Sequence, residues 1–262
     1  MSNKSSFKTD CLKGKNILIS GSLGALGKII TDKLLDHGAT VFLSDIIPEN
    51  KLDFDLRTDS YYYYCDVSNE ESVISLYKNI EKNHGTHPDI VLCHAGIVQD
   101  FPLENYSTED WEKIYDINVK GSFLLSREGL KQMLGKQTFD NPGKIIYTSS
   151  WVAQVPWPQL SGYNSSKAAI EMLMKTAARE YAPKHIRINA IAPGQVDSGM
   201  AKKQFETDEI YRERTKRSIP VGFMQPSESV ADAFLFLCSS ASNYMTGSTL
   251  LVDGGNSLYP MI

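Results

Sequence analysis

Asn16-Ile17-Leu18-Ile19-Ser20-Gly21-Ser22-Leu23-Gly24-Ala25-Leu26-Gly27 sets the architecture of this chain. A short apolar run passes through a glycine-rich turn into apolar residues at helical spacing: Leu26, Ile29, Ile30 and Leu34. A strand that feeds directly into a helix opens a β-α-β unit. Glycines at that junction permit a tight turn and let backbone N–H groups approach a pyrophosphate, with the helix N-terminus facing the anion. Gly21, Leu26 and Gly27 are therefore candidate cofactor contacts, although a plain tight β–α turn uses glycines too.

The rhythm continues along the chain. Candidate strands follow at Thr40–Asp45, Tyr61–Asp66, Ile90–His94, Lys144–Ser149, Arg187–Ala192 and Thr249–Val252. Between them lie amphipathic stretches such as Val73, Leu76, Tyr77 and Ile80. Continuous apolar strands alternating with helices predict an α/β fold: a Rossmann-type, doubly wound parallel sheet of seven strands with helices on both faces. No linker, repeat or low-complexity segment divides the chain, so one domain over 1–262 is expected, with 1–12 as an N-terminal extension. Two segments break the rhythm, Trp151–Ser161 and the charged insertion 198–225. Both follow strand C-termini, where such folds bind ligands, so both are expected to wall a substrate site.

Composition narrows the class. The 262 residues are 42% hydrophobic and 22% charged, with a formal net charge of −4, which argues against a nucleic-acid or anionic-membrane partner. Four scattered cysteines form no C-x-x-C pair, so neither a zinc site nor a disulfide framework is expected, and a reducing compartment suits them. The first fifteen residues lack an apolar signal core, and no apolar stretch reaches the ~20 residues of a membrane span. A cytoplasmic protein is expected.

Asp45 closes the second strand about twenty residues beyond the glycine turn. A carboxylate there accepts hydrogen bonds from the adenosine ribose hydroxyls of NAD(H) and repels the 2′-phosphate of NADP(H). Its sequence neighbours, Ser44, Ile46 and Ile47, offer no compensating cation, so NAD is expected over NADP. Asp66, closing the third strand before Val67, can reach the adenine edge or simply shape its turn.

Tyr163-Asn164-Ser165-Ser166-Lys167 places a phenol and an ammonium four residues apart, on one face of a helix. An ordinary phenol, with a pKa near ~10, is a poor base at neutral pH. A neighbouring cation lowers that value and makes the tyrosine a usable general acid/base. With Asn118, Ser150 and the glycine turn in the same order, the chain resembles the short-chain dehydrogenase/reductase family in its single-domain form. The resemblance runs from about Leu12 to Val252-Asp253-Gly254-Gly255. Ser150 lies thirteen positions before Tyr163, the family spacing, which selects it over Ser149. Two positions depart from the family pattern: Ala25 replaces a turn glycine, and His94-Ala95-Gly96 replaces Asn-Ala-Gly. A histidine held by backbone hydrogen bonds at the strand end accounts for His94 without a catalytic role.

The resemblance implies a catalytic set of Asn118, Ser150, Tyr163 and Lys167. Tyr163 exchanges the hydroxyl proton, Lys167 lowers the phenol pKa and binds the nicotinamide ribose, Ser150 bonds the reacting oxygen, and Asn118 holds a relay water. It further implies cofactor contacts at Val67, His94, Ala95, Gly96, Pro193, Gly194, Val196 and Ser198, beside Tyr163 and Lys167 themselves. Ser150, Trp151, Trp157 and Gln195 are the candidate substrate contacts; the two tryptophans either line a pocket or fill a loop core. An NAD-dependent dehydrogenase of a sugar, polyol or related small hydroxy compound, placing the chain in carbohydrate metabolism, is the first reading. An NADPH-dependent 3-oxoacyl-acyl-carrier-protein reductase is the alternative, and a non-catalytic cofactor sensor a third. The basic residues Lys202, Lys203, Arg212, Arg214, Lys216 and Arg217 alternate with glutamates and read as a solvated helix face. Family relatives are commonly tetramers, and the tail Leu250–Ile262, which ends in apolar residues, suits packing against a neighbour, so a homotetramer is expected.

Overall fold

The structure is a computed structural model that describes residues 7–52 and 55–258. The four residues that end the expected interface tail, Tyr259 to Ile262, lie outside the described residues.

Seven parallel strands form one sheet: β1 (Asn16–Ser20), β2 (Thr40–Asp45), β3 (Ser60–Tyr64), β4 (Ile90–Cys93), β5 (Gly143–Thr148), β6 (Ile186–Pro193) and β7 (Thr249–Val252). Their order is β3-β2-β1-β4-β5-β6-β7, so the winding reverses between β1 and β4. Four predicted strands shift at one or both ends by one or two residues. Asp66 and His94 fall just past the ends of their strands.

Successive side chains of a strand point to opposite faces, and both faces here are apolar. Leu18, Val91, Ile145 and Ile188 pack on one side with α2 (Glu70–His84), α4 (Gly121–Met133) and α5 (Ser161–Tyr181). Ile17, Ile19, Leu92 and Ile146 pack on the other with α1 (Ala25–Asp36) and α8 (Ser227–Cys238). The predicted stripe Val73, Leu76, Tyr77 and Ile80 is buried along α2. Asn69 caps that helix by accepting from Ser72 N–H, and Gly85 ends it in the left-handed region at φ +63°.

Helix α3 (Thr108–Ile114) runs into a π-helical turn, Tyr115–Lys120, and then into α4. The insertion 198–225 folds into α6 (Gly199–Thr207) and α7 (Glu209–Ser218), a helical flap over the strand C-termini. Cys65, Cys93 and Cys238 are buried and every described cysteine is a free thiol. Among the described residues, no helix is long and apolar enough to cross a membrane.

Candidate active site

The site lies at the C-terminal ends of β1, β2, β4, β5 and β6, around the point where the winding reverses. At its nucleotide end, Gly21 turns the chain at φ +70°, and a Cβ there would stand 2.8 Å from Ala95 Cα. A Cβ on Gly27 would stand 2.2 Å from Gly21 O, so the turn folds onto the first helical turn only because both positions are glycine. Helix α1 begins at Gly24 with no side-chain cap, which leaves its first N–H groups available to an anion. Asp45 borders this turn: Oδ2 accepts from Leu23 N at 3.0 Å and Oδ1 from Ile46 N at 2.8 Å. This bare cradle, together with a carboxylate at the end of β2, fits the diphosphate and adenosine ribose of a dinucleotide.

Other predicted cofactor residues sit around the same rim with local jobs of their own. Asp66 Oδ1 accepts from both Ser68 N and Ser68 Oγ, which shapes the entry to α2. Val67 is buried against Gly121. Ser20 Oγ, buried at the end of β1, accepts from His94 N and Ala95 N, both at 3.1 Å. Gly194, after Pro193, donates its N–H to Val252 O and Gln225 Oε1, and a Cβ there would meet Asp253 Cα at 2.7 Å. Val196 bridges to Gln225, and Ser198 caps α6 with no side-chain bond of its own.

His94 is held differently from the sequence expectation. Its ring Nδ1 pairs with Thr148 Oγ1 at 3.0 Å, a side-chain contact in addition to the backbone ones. Burial and the nearby Lys167 charge lower its pKa to about 4, so the imidazole is neutral. Thr148 is a hub, because Lys167 Nζ donates to its carbonyl oxygen at 2.8 Å.

Tyr163 and Lys167 share one face of α5, as predicted, with the ammonium 5.4 Å from the phenol ring centroid. Ser150 caps the short helical turn Trp151–Ala153 beside them. Burial is the largest influence on Tyr163 and raises its pKa, while a hydrogen bond with Ser150 pulls it back in part. Lys167 itself is lowered to about 8 by burial. The ammonium donates to the Thr148 carbonyl and lies over the ring, and Ser150 is the hydrogen-bonding group that favours the phenolate.

Asn118 occupies the π-helical turn and is 0% exposed. Its Oδ1 accepts from Ile97 N at 2.9 Å, and its Nδ2 donates to Ile97 O and Ser166 Oγ, both at 3.0 Å. Both amide hydrogens are thus engaged with protein, and the side chain ties the loop after β4 to α5. A Cβ on Gly96 would lie 3.2 Å from Asn118 Oδ1 and 3.4 Å from Lys167 Nζ, which brings these three predicted residues together.

A pocket of about 560 Å³ opens over Ser150 and Tyr163. Trp151, Trp157 and Gln195 all line it, as do Tyr211 and Arg214 from α7. The two indoles meet edge to face at 5.4 Å and are buried with Val152, so they fill a loop core and wall the pocket at once. The Arg214 guanidinium lies 5.5 Å over the Trp157 ring. Elsewhere on α6 and α7 the basic residues are solvated, with Lys216 paired to Glu213 and Lys202 to Asp197.

Sequence reasoning missed Thr148, Ser166 and Glu171. Glu171 is 6% exposed and accepts from Ser149 Oγ at 2.9 Å, steadying the loop that carries Ser150. Its position one turn after Lys167 on the same helix face was the available clue. Tyr211 carried no sequence signal, because its placement depends on how the insertion folds.

Comparison with known proteins agrees with this geometry. Residues 21–257 match the family model described as enoyl-(acyl carrier protein) reductase. The chain is 35% identical over 257 residues to 3beta-hydroxysteroid dehydrogenase 1 of Eggerthella lenta, covering 96% of this chain and 97% of that one. The crystal structure of 3-ketoacyl-(acyl-carrier-protein) reductase from Brucella melitensis complexed with NADH superposes with a TM-score of 0.84 at 27% identity, covering 94% and 99%. A gluconate 5-dehydrogenase from Burkholderia cenocepacia J2315 in complex with NADP and tartrate gives 0.89 at 25% identity, covering 96% and 99%. The chain belongs to the short-chain dehydrogenase/reductase family. It is an NAD(P)-dependent oxidoreductase that acts on hydroxy or keto substrates.

Proposed function

We propose that the chain is an NAD(H)-preferring dehydrogenase of a small polyhydroxy compound, a sugar, polyol or relative, with Tyr163 as general acid/base. The convergence of Ser150, Tyr163 and Lys167 under one pocket carries this reading.

In this mechanism Gly21, Leu26, Gly27 and Asp45 hold the nucleotide half of the cofactor, and Gly96, Pro193, Gly194, Val196 and Ser198 the other half. The bound nicotinamide supplies the hydride acceptor for alcohol oxidation, or the donor in reverse. Ser150 Oγ hydrogen-bonds the reacting oxygen and steadies its developing charge. Tyr163 OH lies beside it and takes or returns the hydroxyl proton. With burial holding the phenol protonated, proton donation to a carbonyl is its resting competence. Alcohol oxidation requires the Ser150 bond and the Lys167 ammonium together to offset that burial. Asn118 ties the loop after β4 to α5, the helix that carries Lys167.

Asp45 supports NAD(H), because a carboxylate at the end of β2 opposes a further phosphate on the ribose. The pocket wall supports the substrate class: aromatic side chains for C–H faces and glutamine, aspartate and arginine side chains for hydroxyls. Reduction of a 3-oxoacyl thioester on a carrier protein is the second reading, favoured by the Brucella relative. The paired and interleaved charges of α6 and α7 supply no continuous basic surface for an acidic carrier. A homotetramer is proposed for the assembly; a single-subunit mass by light scattering at micromolar concentration would contradict it.

The test is a panel of sugars, polyols, secondary alcohols and 3-oxoacyl thioesters, each with both cofactors. Turnover of a polyhydroxy compound with NAD⁺ supports the reading. Selective NADPH-dependent reduction of the thioesters replaces it with the second.

A further inference from the structure

Most polar side chains in the pocket wall have partners or reach water. Asp208 accepts from Tyr211 N–H, Arg214 rests on Trp157, and Asp100 and Gln159 are exposed. Gln195 differs. It is 6% exposed, and its carboxamide oxygen is buried with no hydrogen-bond partner. Its backbone is nevertheless fixed, since Gln195 O accepts from Gln225 N at 2.8 Å. A buried, unpaired carbonyl oxygen is costly in a folded protein unless something arrives to pair with it.

Gln195 also stands near the reacting groups. Thr148 of β5 is in register with Ile191 of β6, and Ser149 N donates to Ile191 O at 2.7 Å. Ser150 and Gln195 therefore leave the sheet from adjacent strand ends into one pocket. A carboxamide offers both a donor and an acceptor, which matches a hydroxyl or a hydroxyl–carbonyl pair. A carboxylate matches less well, because Asp100 and Asp208 share the wall.

We infer that Gln195 is a specificity-determining residue that pairs with a second oxygen of the substrate, on a carbon adjacent to the one that carries the reacting hydroxyl. This rests on the oxidoreductase reading above and narrows its substrate class to vicinal diols and hydroxy ketones. A site built to hydrogen-bond a hydroxyl discriminates strongly against the analogue that lacks it, whereas an apolar pocket does not.

The experiment compares cyclohexane-1,2-diol, in its cis and trans forms, with cyclohexanol on the intact enzyme saturated with NAD⁺. Two readouts are taken: kcat/KM from NADH formation, and affinity from quenching of Trp151 and Trp157 fluorescence. The diol is expected to be favoured by at least about tenfold in both. Gln195→Met, which keeps the length and removes both polar atoms, should bring the two alcohols within a factor of about three of each other. Equal affinity and equal kcat/KM for diol and mono-ol in the unaltered enzyme overturns the inference without any variant. So does a Gln195→Met protein that weakens both alcohols in proportion. Selective diol binding without turnover supports Gln195 and counts instead against the proposed reaction.

Discussion

Replacing Asn118 with leucine separates anchoring from chemistry. The side chain is fully buried and makes three hydrogen bonds, two to the Ile97 backbone and one to Ser166 Oγ. Leucine is similar in volume but leaves Ile97 N–H and C=O unpaired. Unpaired groups of this kind cost about 1–3 kcal/mol each when buried. Ile97 is only half-buried and water can reach part of it, so a total of about 2–4 kcal/mol is expected. At about 2–4 °C per kcal/mol for a chain of this size, the melting temperature should fall by roughly 5–15 °C. Urea titration followed by circular dichroism reads the same loss as a lower midpoint with unchanged slope. Activity should fall as well, because Asn118 anchors the loop that carries Gly96 to α5, the helix that carries Lys167. An Asn118→Leu protein with wild-type midpoint and collapsed kcat would refute the anchoring account and leave only a direct role in proton relay.

Three further outcomes follow from the same geometry. Lys167 titrates at about 8, so its ammonium is present below that pH and lost as pH rises through it; kcat/KM should decline on an alkaline limb near that value, and Lys167→Gln should remove the limb from the pH profile. Asp45→Ser deletes the carboxylate that opposes a 2′-phosphate, and the NADPH/NADH affinity ratio should rise by at least about tenfold in fluorescence titrations. Lys144 is buried and donates to Leu237 O, Ser239 O and Ser242 Oγ behind the C-terminus of α8; Lys144→Met should lower the unfolding free energy read from urea titration by about 1–3 kcal/mol with little effect on KM.

The sheet was legible in the sequence because burial on both faces leaves a plain mark. Ile17, Leu18 and Ile19 are all apolar since neighbours wait on either side. Strand ends were less legible: His94 and Asp66 belong to the turns, and only three-dimensional partners such as Ser20, Thr148 and Ser68 show it. Tyr163 and Lys167 were readable from helical spacing alone. The balance of forces on them was not. How far burial raises the phenol depends on everything packed around it, and that information is spread over the whole chain. Within 198–225 the alternation of charge announced exposed helices, while the approach of Tyr211 and Arg214 to Trp157 depends on a fold-back that no local pattern encodes.

In the proposed reaction Tyr163 moves the substrate proton. Tyr163→Phe keeps the ring that packs with Trp151 and Trp157 and removes only the hydroxyl. Single-turnover rate and NADH affinity should be measured on the same preparation, once any substrate of the wild-type enzyme is in hand. The rate should fall by at least about 100-fold, with NADH binding within about twofold of wild type. A Tyr163→Phe enzyme that keeps the wild-type rate would contradict that role.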